Sequence, residues 1–212
     1  MYFYGSYEPN IEALFRRLVT PGSTVFDVGA NAGYFSVLCT ELGANVHAFE
    51  PNPAVRPLLE VTASLVPNLT VVPYAAGAER GTMPFYVSDA EATGSSGLMV
   101  ALGREAISVE VVTLDEYARD NELHAELVKI DVEGAEADVL RGMQTILQTD
   151  RPALIIELHV IKGDVPHATH DEVAALLAEA DYEYELIDSD RPRDAGGPAR
   201  GHILATPTQG SF

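Results

Sequence analysis

The chain has 212 residues, 47% of them hydrophobic, and carries 32 acidic against 13 basic side chains, for a formal net charge of −19. That apolar share is too high for a disordered chain, and the length suits one domain with a sheet buried on both faces. A surface this acidic repels phosphate backbones, which disfavours a nucleic-acid partner, and no apolar run reaches the ~18 residues that a membrane-spanning helix needs.

The first ten residues, MYFYGSYEPN, lack a basic stretch followed by an apolar one, so no signal peptide is expected. Cys39 is the sole cysteine. It can form no intrachain disulfide and is expected to be a buried, inert thiol. These features point to the cytoplasm. Of the basic residues only Lys129 and Lys162 are lysines. The charge balance fits either a halophilic source or an ordinary acidic enzyme. Salt separates the two: in a halophilic protein the thermal midpoint rises steeply as KCl goes from low to molar concentration, because carboxylate repulsion is screened. A flat or falling curve counts against that origin.

Along the chain, apolar runs alternate with helical patterns, which predicts a mainly parallel sheet covered by helices. Residues 1–20 form an N-terminal segment whose exposed aromatics (Tyr2, Phe3, Tyr4, Tyr7) suit an interface or a lid. The turn Pro21-Gly22 introduces a strand at 24–28, and a helix is expected over 33–42. A strand at 45–49 ends on Glu50-Pro51, followed by a helix at 53–65 and a strand at 69–74. The rhythm then changes. Residues 77–125 read as a β-rich insertion over one end of the sheet, with β-rich runs at 81–89 and 107–113. Between them the small polar loop 93–97, with Ser95 and Ser96, suits a lid. The α/β pattern resumes with a strand at 127–130, a helix at 135–148, a strand at 153–158 and a helix at 170–180. Residues 184–187 and 202–205 are expected to pair antiparallel and close the sheet around the loop 191–201, within a flexible C-terminal part, 190–212. No repeat or linker divides the chain, so a single domain is expected.

The segment VFDVGANAGYFSVL carries the clearest chemistry. A strand containing Asp27 is followed by Gly29, Asn31 and Gly33 at alternate positions, and then by an apolar helix. Glycines let the backbone turn sharply and approach a ligand, and a helix N-terminus offers N–H donors to a carboxylate. The G-x-G-x-x-G spacing of a dinucleotide site is absent, and Asp27 would sit poorly beside a pyrophosphate. An acid there suits a ligand ammonium, directly or through water. S-adenosylmethionine carries an ammonium, a carboxylate and a sulfonium, so both halves of the motif fit it. The alternative is a tight strand-to-helix turn with no ligand. Glu50 ends the next strand, 17 residues beyond Gly33. A carboxylate at that point can accept both ribose hydroxyls of a nucleoside, or cap the helix that Pro51-Asn52-Pro53 introduces, and the two roles are compatible.

The segments YGSYEPN, VFDVGANAGYFSVL, HAFEPNP, VKIDVEGAEADVLRGM and ALIIELH resemble, in order, the motifs of the FkbM-type methyltransferases. The resemblance runs over residues 4–159, and VKIDVEGAE is its most specific part. It implies a Rossmann-like class I methyltransferase fold and O-methylation of a hydroxyl on a sugar, polyketide or similar metabolite. The tail after about Arg191 carries none of the family's motifs.

In such a sheet, ligands lie beyond the carboxyl ends of the strands. Asp131, Glu133, Glu157 and His159 are therefore the candidates for contact with the acceptor. Methyl transfer needs alignment of donor and acceptor and removal of the hydroxyl proton, and Asp131, His159 or Glu133 could serve as the base. Against this, Glu133, Glu136 and Asp138 lie where acids simply complement a helix dipole. Lys129, inside an apolar strand, needs a carboxylate partner that the sequence does not name. Asp131, Glu133 and Glu157 offer hard oxygens to Mg²⁺, but no dedicated metal spacing exists and no metal is expected. His167 and His170 in PHATHDE read as a solvated loop opening a helix. The leading expectation is an O-methyltransferase for a small-molecule or glycan acceptor. N-methylation and a catalytically silent cofactor-binding or scaffolding domain are the alternatives, and the oligomeric state stays open.

Overall fold

The structure, a computed structural model, describes residues 8–86, 106–159, 170–187 and 200–208. Its first element was not expected from the sequence. Helix α1 (Pro9–Leu18) starts on a proline, whose missing N–H costs nothing there, and buries Ile11, Leu14 and Phe15 on one face. Phe15 stacks on Phe35 at 4.8 Å between ring centres. Phe35 lies on α2 (Tyr34–Glu41), so α1 and α2 cover the same face of the sheet.

Strand β1 (Thr24–Val28) is buried from its second residue on and pairs in parallel with β2 (Asn45–Phe49) on one side and β7 (Leu127–Ile130) on the other. Beyond β2 lies β3 (Leu69–Val72), and beyond β7 lies β8 (Ala153–His159), both parallel. Strand β10 (Arg200–Pro207) then runs antiparallel between β8 and β9 (Tyr182–Ile187). The seven-stranded order is β3-β2-β1-β7-β8-β10-β9. The expected α/β fold with an antiparallel closing pair is thus the observed one. Apolar runs such as Leu127, Val128 and Ile130 are buried because helices cover both faces of the sheet.

The expected β-rich insertion is present as a second sheet. Strand β5 (Gly81–Tyr86) pairs antiparallel with β6 (Ala106–Val112), which also pairs in parallel with the short β4 (Ala75–Ala76). Residues 87–105, with Ser95 and Ser96, lie outside the described residues, as do Tyr2, Phe3, Tyr4, Tyr7 and His167. Two corrections fall on the region after β6. First, it contains a helix, α4 (Leu114–Asp120), capped by Thr113, whose hydroxyl accepts from the Glu116 N–H at 3.1 Å.

Second, the single helix expected over 135–148 is two, α5 (Glu136–Arg141) and α6 (Gln144–Thr149). The break at Gly142 has a tertiary cause. A Cβ there would come within 2.0 Å of the Gly77 carbonyl oxygen, and the Gly142 carbonyl accepts from the Asp115 N–H at 3.0 Å. The Asp115 carboxylate then accepts from Thr145 N–H at 2.9 Å and Ile146 N–H at 3.0 Å, capping α6 from another helix. Asp115→Ala is expected to lower the unfolding free energy by about 1–2 kcal/mol in a denaturant titration. An unchanged midpoint would mean the cap contributes nothing.

Helix α3 (Arg56–Leu65) begins later than expected because residues 52–55 form a turn, in which the Asn52 side chain accepts from Ala54 N–H at 3.0 Å. Helix α7 (His170–Glu179) opens on His170, whose ring packs edge-on against Tyr184 at 5.7 Å. Cys39 is buried, and burial, with the nearby Asp27, pushes its thiol well above the ordinary range, as an inert core thiol requires. Among the described residues no helix is long and apolar enough to cross a membrane.

Candidate active site

Parallel pairing brings the carboxyl ends of β1, β2, β7 and β8 to one edge, and the loop after β1 turns there. Gly29 sits at φ +79° and Gly33 at φ +89°, conformations that strain any other residue, while Asn31 tolerates φ 52°. The glycines meet protein before they meet any ligand. A Cβ on Gly29 would lie 1.8 Å from the Asp131 carbonyl oxygen, and one on Gly33 would lie 2.7 Å from Leu59 Cδ1. Gly29 and Ala30 both donate their N–H to the Phe49 carbonyl at 3.0 Å, which folds the loop back over the end of β2.

Glu50 anchors the other side of this loop. One carboxylate oxygen accepts from Asn31 N–H at 2.9 Å and the other from Asn52 N–H at 2.9 Å. Burial pushes its carboxyl up to about 7, although those two N–H donors and the Lys129 charge pull it down. Each oxygen retains a lone-pair direction beyond its backbone donor, so the group can still accept two hydroxyls. Both readings of Glu50 are compatible with this geometry, since its bond to Asn52 also shapes the approach to α3.

The third component joins β1 to β7. Lys129 lies opposite Asp27 in the strand register, and its ammonium stands 3.2 Å from Asp27 Oδ1, 3.3 Å from Asp131 Oδ2 and 3.4 Å from the Gly29 carbonyl oxygen. Asp27 is the partner that the sequence left unnamed. Ser36, in the first turn of α2, donates to the other Asp27 oxygen at 2.6 Å. Burial opposes the charge on Lys129, but Asp27 and Asp131 outweigh it and hold the ammonium above the ordinary lysine range. Asp27 is 2% exposed and turned toward the protein, whereas the Asp131 side chain is 29% exposed.

The remaining candidates spread along the edge. Glu133 stands at φ 53° before Gly134 at φ +106°, in the turn ahead of α5 and not in the helix itself. The acid that serves the helix entry is Glu136, which is buried and accepts from Gly134 N–H at 3.0 Å. Glu157 is buried opposite His202 of β10, Oε2 to Nε2 3.6 Å, and His202 lies 3.7 Å from Glu8 at the start of α1. Sequence reading singled out neither Glu8 nor His202. The available signal was a polar residue in each of two apolar runs that pair. His159 ends β8 opposite Arg200, and its side chain lies outside what the structure describes. Among the described residues no three His, Cys, Asp or Glu side chains are arranged to hold a metal ion, so Asp131, Glu133 and Glu157 do not form one.

The profile of the "Methyltransferase FkbM domain" matches residues 27–184, which span the loop after β1, Glu50, Lys129 and Asp131. The chain belongs to the FkbM methyltransferase family. It is therefore an S-adenosylmethionine-dependent methyltransferase. Among its relatives is the hexuronic acid methyltransferase AglP of Haloferax volcanii, 32% identical over 173 residues, or 80% of this chain and 67% of that protein. Another is the 31-O-demethyl-FK506 methyltransferase FkbM of Streptomyces tacrolimicus, 29% identical over 74% of this chain and 71% of that one. The crystal structure of a methyltransferase FkbM from Methylobacillus flagellatus superposes with a TM-score of 0.58 at 16% identity, over 92% of this chain and 50% of that one. At that identity the likeness is one of fold.

Proposed function

We propose that this FkbM-type enzyme methylates a hydroxyl of a small-molecule or glycan acceptor at the carboxyl edge of its sheet. The observation that carries the reading is the Asp131 carboxylate, part-exposed and fixed beside the Gly29 loop. The names of two relatives support it: one is a hexuronic acid methyltransferase, the other a 31-O-demethyl-FK506 methyltransferase.

The residues present fit S-adenosylmethionine. Glu50 would accept the ribose hydroxyls on its remaining lone pairs. The N–H groups of Gly29, Ala30, Asn31 and Gly33 are used within the protein, which leaves Ala32 and the N-terminus of α2 to offer N–H donors to the amino-acid carboxylate. Asp27 is turned inward and held by Lys129 and Ser36, so its part is to fix the end of β1 beneath the loop. When bound, the cofactor supplies a methyl group already activated by a sulfonium. The protein's part is alignment, which lowers such barriers by up to about 7–11 kcal/mol in model systems, and proton removal, typically about 10²–10⁴-fold. Asp131 is the best-placed proton acceptor, with Glu133 two residues on and His159 at the end of the neighbouring strand.

The test is incubation with methyl-labelled cofactor and a panel of hexuronic acids, hydroxylated polyketides and amines, with the label located by NMR. Label on oxygen is expected. Label on nitrogen, or no transfer while S-adenosylhomocysteine still binds, would overturn the reading.

A further inference from the structure

We propose that Lys129 is a positioning residue for methyl transfer, locking the Asp131 carboxylate to the Gly29 turn. This rests on the proposal above that Asp131 serves the acceptor.

An ammonium has three protons and a tetrahedral donor set. Around Lys129 there are three oxygens at 3.2–3.4 Å, from Asp27, Asp131 and the Gly29 carbonyl. They belong to the acid of β1, the acid that follows β7 and the first residue of the cofactor loop. Ser36 ties Asp27 onward to α2. One cation thus joins the loop expected to hold the methyl donor to the carboxylate expected to face the acceptor. The Phe35 ring, 5.7 Å from the ammonium, covers the side chain, which is 5% exposed.

Fold stability alone does not account for this arrangement. A buried ion pair can often be replaced by apolar residues without loss. The two strands are already joined by their ladder and by Asp131 N–H to the Val28 carbonyl at 3.0 Å. Glu157 and Glu50 also lie within the field of the ammonium, and of the three groups in the bridge Asp131 is the one that reaches solvent.

The experiment compares Asp131→Asn, Lys129→Arg, Lys129→Met and the double variant Lys129→Met/Asp27→Asn. The double variant removes the pair together and covers the case in which Lys129→Met fails to fold. Folding is followed by circular dichroism, S-adenosylhomocysteine affinity by calorimetry, and turnover across roughly pH 5–10. Asp131→Asn is expected to lower kcat at least about tenfold. The variants without Lys129 should keep cofactor affinity within about threefold and lose about tenfold or more in kcat. In Lys129→Met the acidic limb should also move to higher pH, because Asp131 has lost its neighbouring cation, whereas in the double variant the lost cation and the lost anion offset each other and kcat is the readout. Lys129→Arg keeps the charge but not the three-way geometry, so its limb should stay in place while kcat falls severalfold. Unchanged kcat and pH profile in the Lys129 variants, with Asp131→Asn impaired, would make Lys129 merely structural and leave the Asp131 reading intact. Wild-type kcat in Lys129→Arg would likewise overturn the proposal. Full activity in Asp131→Asn would remove the reading on which it rests.

Discussion

Glu50→Ala will bind S-adenosylhomocysteine about two orders of magnitude more weakly than the native protein, or worse. A hydrogen bond to a charged group contributes roughly 1.5–3 kcal/mol, and two ribose hydroxyls would lose such an acceptor. The variant also releases the Asn31 and Asn52 N–H groups that the carboxylate holds, which loosens the loop. Calorimetry measures the effect, and unchanged affinity would remove Glu50 from the site. A pH dependence accompanies it. Burial raises the Glu50 carboxyl from its ordinary 4.5 to about 7, while hydroxyl donors favour the ionised form. Cofactor affinity should therefore fall as pH drops below about 7, by up to about tenfold per unit, and Glu50→Gln should flatten that profile. The sign for the unliganded protein is opposite. Its stability contribution from Glu50 is fully present below about pH 4.5 and lost as pH rises through about 7, because the native state keeps a proton that the unfolded chain has released.

Gly29→Ala will be among the most damaging single substitutions in the fold. Two penalties combine. The residue must hold φ +79°, and its new methyl would lie 1.8 Å from the Asp131 carbonyl oxygen, so the ends of β1 and β7 must part. A cost of about 4 kcal/mol or more is expected, enough to remove much of a typical domain's stability. Gly22→Ala is the control. It shares the positive φ, at +87°, but has nothing within 4 Å of the added methyl. That variant should lose only about 1 kcal/mol. The difference in denaturant midpoint isolates the close approach. Equal losses in the two variants would contradict the described contact between the Gly29 turn and Asp131.

These two residues also show where sequence reading succeeds and where it stops. Strands β1, β2, β7 and β8 are legible as apolar runs because the sheet is covered on both faces. The loop after β1 and the acid after β2 follow from their motifs. The reason for Gly29, however, is a carbonyl on a distant strand, and the break between α5 and α6 is imposed by Gly77 and Asp115. Local pattern encodes neither. Helix α1 is hard to see because its apolar face is only three buried residues wide, and α4 because it is one short helix directly after a strand, within a stretch that is otherwise β-rich. The partner of Lys129 has the same origin as the partner of Glu157. Asp27 and His202 are their direct register mates on neighbouring strands. Once register is known the pairs are evident. Without it, a buried lysine and a buried glutamate stand in the sequence with no sign of what neutralises them.

On the proposed function, the edge formed by β1, β2 and β7 holds the methyl donor with its sulfur turned toward Asp131. A crystal structure of the complex with S-adenosylhomocysteine tests it most directly. The ribose hydroxyls should lie within about 3 Å of the Glu50 carboxylate. The amino-acid carboxylate should meet the N–H groups of Ala32 and the start of α2, and the sulfur should face the side on which Asp131 emerges. A ribose bound away from Glu50, or a sulfur turned from Asp131 toward β3, would contradict the account.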